Sequence, residues 1–263
     1  MKRIILVTFI ALFCSTLCYA ADTTHVVKSS SVPIGNKDRQ PRPPRPPREN
    51  NFGKRVTLGL AFGIGPNWLN PRSDSLERDG TTAMLKYGIP VDINFTTKEN
   101  YYFSTGIFFQ HGGGKFKFEG IPFEGDSLIQ PLTRKYSAIY VSIPTGIKLK
   151  TPNIKGFVVG GNFGLLHSFR LTAKAQDTYM QKGEKQKTQK FMYKDETFVF
   201  RESGYIGLGL EYVIQDACRI YFYANYVHSF TNFFNAQKSH HPITNEANKA
   251  TNGGIEFQIG LCF

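Results

Sequence analysis

His167-Ser168 and His228-Ser229 join the residue types of a nucleophile and its general base, the combination by which hydrolases activate a hydroxyl. On a β-strand adjacency defeats both pairs, because successive side chains point to opposite faces and a spacing of two would be needed. His240-His241 offers two imidazoles to a metal, but no acidic or thiolate ligand flanks them, and a solvated histidine pair is the simpler account. Nothing resembles a nucleotide site or a nucleic-acid motif. The expectation is therefore no catalytic, cofactor-binding or metal residue, no cofactor, no enzyme activity and no nucleic-acid partner.

Charge is the remaining chemistry. Arg42, Arg45 and Arg48 recur every third residue in the run PRPPRPPREN at 41–50. On a polyproline II helix of three residues per turn they form one basic edge, a candidate surface for an acidic partner or lipid phosphate beside the plainer reading of a solvated spacer. Residues 172–197 hold six lysines against four acids, the composition of a charged surface loop.

The elements that must carry these residues follow from composition and periodicity. The 263 residues include 23 Phe, 13 Tyr and 25 Gly, too many large apolar side chains for a disordered chain and a balance that suits strands. Lys2 and Arg3 precede an uncharged run over 4–17 that ends in Cys18-Tyr19-Ala20, so residues 1–20 are expected to be a secretory signal peptide. Its loss would lower the formal charge from +12 to +10 and leave Cys218 and Cys262, which the sequence leaves open as bonded or free. Residues 21–51, rich in Ser, Pro and Arg, are expected to be an extended periplasmic linker.

From residue 52 to 263 about eight segments alternate with period two. Val56, Leu58, Leu60, Phe62 and Ile64 open the series, and Ile255, Phe257, Ile259, Leu261 and Phe263 close it. Connections after the second, fourth and sixth segments are short. Those at about 66–83, 111–135, 172–200 and 229–253 are long. Such alternation of short and long connections predicts an all-β, about eight-stranded antiparallel transmembrane β-barrel of the outer-membrane type, with tight periplasmic turns and outer loops. The second face supports the same architecture: Lys86, Asp92, Lys148, Glu211 and Glu256 fall opposite the apolar series and are expected to pair inside a filled lumen without an open pore.

Phe257, Ile259, Leu261 and Phe263 resemble the terminal β-signal recognised by the barrel-assembly machinery, which is thereby an expected partner along with outer-membrane lipid and lipopolysaccharide. Tyr101, Tyr102, Phe103, Tyr212, Tyr221 and Phe222 cluster beside the short turns, where an aromatic girdle belongs. Pro90 and Pro144, which donate no ladder hydrogen bond, are expected to mark bulges or bends.

The segments YVSIPTGIKL (140–149), FVVGGNFGLL (157–166) and GYIGLGLEY (204–212) resemble the PorT-like outer-membrane β-barrel family of Bacteroidota. Ser142 stands where many members carry a glutamate before the proline-bearing strand. The resemblance implies the fold, a place in the cell outer membrane and an accessory part in type IX protein secretion, with secretion-system proteins as partners. The alternative is a structural or adhesive surface protein acting through its outer loops.

Overall fold

The computed structural model describes residues 56–73, 76–96, 100–123, 126–181, 184–188, 191–215, 218–240 and 247–263. The expected signal peptide (1–20) and the linker (21–51) with Arg42, Arg45 and Arg48 lie outside the described residues. The strands, in chain order, are β1 (Val56–Pro71), β2 (Glu77–Arg78), β3 (Thr82–Asn94), β4 (Tyr101–Phe123), β5 (Asp126–Lys150), β6 (Phe157–Gln181), β7 (Glu184–Lys187), β8 (Phe191–Met192), β9 (Phe200–Gln215), β10 (Cys218–Ser229) and β11 (Ala250–Cys262).

Eight of these close a barrel. Each long strand pairs antiparallel with the next, and β11 returns to β1 with Leu60 opposite Leu261 and Ile64 opposite Phe257. Phe263 completes the seam, its N–H donating to Leu58 O at 2.8 Å while Leu58 N–H donates back to Phe263 O at 3.2 Å. Closure pairs each of these eight strands on both sides, the condition for strands to stand in lipid. The short β2 lies on β4, and β7 and β8 lie on β6.

Along the lower wall the outward residues are apolar and exposed, as with Leu58, Phe62, Ile89, Ile107, Ile147, Val159, Leu208, Phe222 and Ile259. The inward residues there are glycine, tyrosine and charge. On β4 the orientation never changes, yet the chemistry reverses: Ile107 and Phe109 face out low on the strand, Lys115 and Lys117 face out above, and Phe116 and Phe118 are buried within. The upper part is thus a water-facing crown built around Leu69, Phe116, Leu132, Tyr136, Tyr193, Phe233 and Phe234. Its rings meet edge to face, Tyr136 and Phe234 at 5.2 Å and Phe233 and Phe234 at 5.1 Å, the arrangement aromatic quadrupoles favour.

The crown corrects the expected loops at 66–83, 111–135 and 172–200. β4 and β5 continue through most of 111–135 as a paired extension, with Lys115 opposite Lys135 and Lys117 opposite Thr133. The alternation of apolar outward residues stops at the edge of the lipid band, whereas the backbone ladder does not, so a pattern tuned to lipid ends too early. Pro90 and Pro144 do not mark bulges. The ladder pauses beside each and resumes in the same register, since a missing N–H removes one bond without adding a residue. Register shifts fall elsewhere, among them one opposite Ile139 and Tyr140, where Leu171 is the extra residue of a bulge in β6.

Of the expected girdle residues, Tyr101, Phe103, Tyr212 and Phe222 are exposed on the outer wall, while Tyr102 and Tyr221 are buried inside. Strand alternation forces this split between neighbours. Inward tyrosines account for some of the glycines: a Cβ on Gly160 would stand 2.1 Å from the Tyr223 hydroxyl, and one on Gly260 2.3 Å from the Tyr221 ring.

Candidate functional site

Three places on this barrel bring chemistry together: the lumen, the crown and one patch of the outer wall. In the lumen, inward alternation on β3, β5, β9 and β11 converges the charges. Lys148 Nζ donates to Asp92 Oδ2 at 2.6 Å, and Ser104 Oγ donates to Asp92 Oδ1 at 2.7 Å. Lys150, which the sequence reading passed over, lies 2.9 Å from Glu211 and 3.9 Å from Asp92 and links the two carboxylates. Glu211 also accepts from Tyr223 OH at 3.0 Å. Lys86 and Glu256 form a separate pair at 3.1 Å, with Lys86 Nζ lying 4.6 Å from the centre of the Phe108 ring. Lys150 follows the outward Leu149, so one further step of the alternation would have found it.

Desolvating these ions is offset only because almost every charge faces an opposite one at hydrogen-bonding distance. Between the two ion-paired groups remains a polar cavity of about 40 Å³ bordered by Lys86, Lys148, Tyr205 and Gln258, large enough for water. Above them Arg201 sits fully inside, donating to Gln110 Oε1 at 2.9 Å and stacked 4.1 Å from the Tyr140 ring. Ser142 and Ser168 share a hydrogen bond of 2.8 Å there. Ser168 thus points in while His167 points out, and Ser229 likewise turns away from His228 to donate to Glu202 O at 3.1 Å. Cys218 and Cys262 are not joined in a disulfide.

The crown is closed from above by the segment after β10. Phe233 N–H donates to Ala250 O at 2.7 Å and Phe198 N–H to Phe233 O at 2.9 Å, which draws Phe233 and Phe234 into the core. Arg134 Nε and Nη2 grip Asp177 at 2.6 and 2.8 Å, beside the rings of Phe118 and Phe191. Burial opposes the Arg134 charge, but the Asp177 hydrogen bonds outweigh it and hold the guanidinium above its ordinary pKa. Burial, helped by a hydrogen bond with Glu196, pushes Tyr193 up to about 12. On the crown's outer wall Lys115, Lys135 and Lys187 border a groove of about 290 Å³ with Asp79, Thr133, Gln176 and Thr178.

The third place spans three strands, so spacing along any one strand does not reveal it. Thr145 on β5, His167 on β6 and Glu202 on β9 all face outward. Thr145 Oγ1 lies 2.8 Å from His167 Nε2, and His167 Nδ1 lies 2.8 Å from Glu202 Oε2. His240, exposed and bridged to Ala247, stands in the upper connection, and His241 lies outside the described residues. Among the described residues no three His, Cys, Asp or Glu side chains converge as metal ligands.

A closed eight-stranded wall, an apolar outer band and a charged, filled interior agree with the family model, and that model is decisive: the outer membrane protein beta-barrel domain matches residues 39–235. The chain belongs to that family. This outer-membrane barrel resembles solved barrels at low identity. Neisserial surface protein A is 7% identical over 78% of this chain and 95% of its own, with a TM-score of 0.35. Ail of Yersinia pestis is 13% identical over 80% and 99%, at 0.30. The Escherichia coli protease OmpT is 8% identical over 81% and 97%, at 0.40. No curated protein matches the chain. The protein is located in the outer membrane, where the exposed band of Leu, Ile and Phe meets lipid and Phe257 and Ile259 face it most fully, with Leu261 and Phe263 partly covered.

Proposed function

We propose that the protein is a closed outer-membrane barrel that presents its crown as a preformed surface for an anionic partner outside the cell, an adhesive or structural role. Short turns face the periplasm in such barrels, which puts the crown outside. The observation that carries the reading is Lys115 directly opposite Lys135 on the crown wall, beside Lys187. Like charges across a ladder destabilise it, so the pair is most simply kept for an anion that neutralises both. The test is binding of the purified barrel to immobilised sulfated and phosphorylated glycans. Capture at low salt that weakens as salt rises, and falls at least tenfold in K115A/K135A, supports it; equal capture by that variant refutes it.

A second reading, an accessory role in type IX secretion, is supported by the PorT-like segments. The Arg42, Arg45 and Arg48 edge and recognition of Phe257, Ile259, Leu261 and Phe263 by the assembly machinery belong with it as proposals. A paired, filled lumen under a packed crown favours a supporting part over a conduit. Deleting the gene separates the two readings: secreted cargo retained in the periplasm favours secretion, whereas normal release with altered surface attachment or envelope integrity favours the crown.

A further inference from the structure

We infer that Thr145, His167 and Glu202 form a hydrolytic site on the lipid-facing wall, acting on acyl esters of outer-leaflet lipids. This goes beyond the crown reading and departs from the expectation of no catalysis. The geometry supplies a hydroxyl, a base and an orienting carboxylate in series, at 2.8 Å and 2.8 Å. That is the relation by which hydroxyl nucleophiles are activated on unrelated folds. Three adjacent strands fix it. Glu202 is the ladder partner of His167, which is the ladder partner of Ile143, and Thr145 lies two residues from Ile143 on the same face.

Location makes the arrangement informative. Ionisable side chains on a lipid-facing wall are expensive and are kept mainly for function. Here Leu165, Ile147 and Ile206 are exposed beneath the three, and Phe169 and Phe230 beside and above them, so an incoming substrate meets acyl-compatible surface on both sides. The Phe230 ring lies over Gly204, where an added Cβ would stand 2.7 Å away. The Glu202 backbone is pinned as well: its N–H donates to Thr231 Oγ1 at 3.1 Å and its carbonyl accepts from Phe230 N–H at 2.9 Å. A site placed in this wall is open to a lipid ester diffusing in the outer leaflet and poorly open to a soluble peptide.

Glu202 accepts from His167 Nδ1–H, which leaves Nε2 free to accept the Thr145 proton. As Thr145 Oγ1 attacks the acyl carbonyl carbon, that proton passes to Nε2. Collapse of the tetrahedral intermediate breaks the ester C–O bond, and the imidazolium returns its proton to the departing lipid hydroxyl. Water then attacks the Thr145 ester while His167 takes its proton and passes one to Oγ1, which frees the fatty acid and restores the threonine. Thr145 and His167 are the catalytic residues and Glu202 is a positioning residue. Backbone N–H groups on a strand are engaged in its ladders, so oxyanion support is poor and turnover is expected to be slow, by about 10²–10³ against sites with such donors.

The test uses the full-length protein in two sets of vesicles, lipopolysaccharide with phosphatidylethanolamine and phosphatidylethanolamine with phosphatidylglycerol, with free fatty acids read by mass spectrometry. Release in either set, reduced to background by T145V and by H167N and retained by T145S, supports the site, and the set that yields acid identifies the lipid. E202Q should lower kcat at least tenfold with KM unchanged, and E202D should recover part of it. A fluorophosphonate probe should add to the Thr145 peptide of the native protein and not to that of H167N. Variants are compared only where the unheated protein still migrates faster on a denaturing gel. Equal release by native protein and T145V, or probe addition that misses Thr145, overturns the proposal.

Discussion

The two ends of β4 present the same face to opposite solvents. Around Ile107 the outer wall is apolar and the interior holds paired charge; around Lys115 the outer wall is charged and the interior holds Phe116 and Phe118. One hydrogen-bonded ladder runs through both without a change in which residues face out. The lesson is that the ladder sets direction while the surrounding medium sets chemistry. Lipid demands an apolar exterior and permits a polar, mutually satisfied interior, and water demands the reverse.

The largest break in that comparison comes from the lumen. Asp92→Ala leaves Lys148 and Lys150 facing one carboxylate fewer, and should destabilise the barrel by about 3–5 kcal/mol. The heat-dependent gel shift would then be lost at a lower temperature, while D92A/K148M, which removes both partners of the 2.6 Å contact, should regain much of the loss. In the crown, Phe234→Ala empties a wholly buried ring site and should cost about 3–4 kcal/mol. Its effect should appear as faster proteolysis of crown segments with the membrane band intact. If both substitutions melted both regions together, the division into two regimes would fail.

Exchanging surface chemistry sharpens the contrast. Ile107→Lys places charge on the lipid face and should destabilise by about 2–4 kcal/mol, whereas Lys115→Ile on the same side of the same strand should stay within about 0.5 kcal/mol. Refolding titrations in urea with lipid vesicles would compare them.

Much of this was legible in the sequence, and the failures share a cause. Period-two alternation located all eight barrel strands because lipid and lumen select opposite residues at each step. Lys86, Asp92, Lys148, Glu211 and Glu256 were placed on the inner face by the same rule. The crown was not legible, because Lys115 facing out and Phe116 facing in alternate with the opposite sense of polarity and look like a break in the pattern. The Thr145, His167 and Glu202 constellation was invisible for a different reason. It depends on register between three strands, which one-dimensional spacing does not contain, and Glu202 lies just beyond the connection expected at 172–200, ahead of the quoted segment that begins at Gly204.

The crown should also respond to alkaline pH. The Tyr193 pKa is raised to about 12, so the folded crown favours the neutral phenol over the free value near 10. Stability from this group is complete below about pH 10 and is lost as pH rises through about 12. After allowance for solvent screening it amounts to about 1–2 kcal/mol. Crown proteolysis should rise across that window in the native protein, and Tyr193→Phe should flatten the rise.

Amide hydrogen exchange on the native barrel in lipid nanodiscs tests the central claim most directly, by comparing 112–118 and 132–138 in the crown with 143–149 in the membrane band. If the crown is a folded, cored continuation of the barrel, its amides should be protected for minutes to hours, near the range of the band. Exchange of both crown segments within seconds, with the band still protected, would return them to loops and contradict the account.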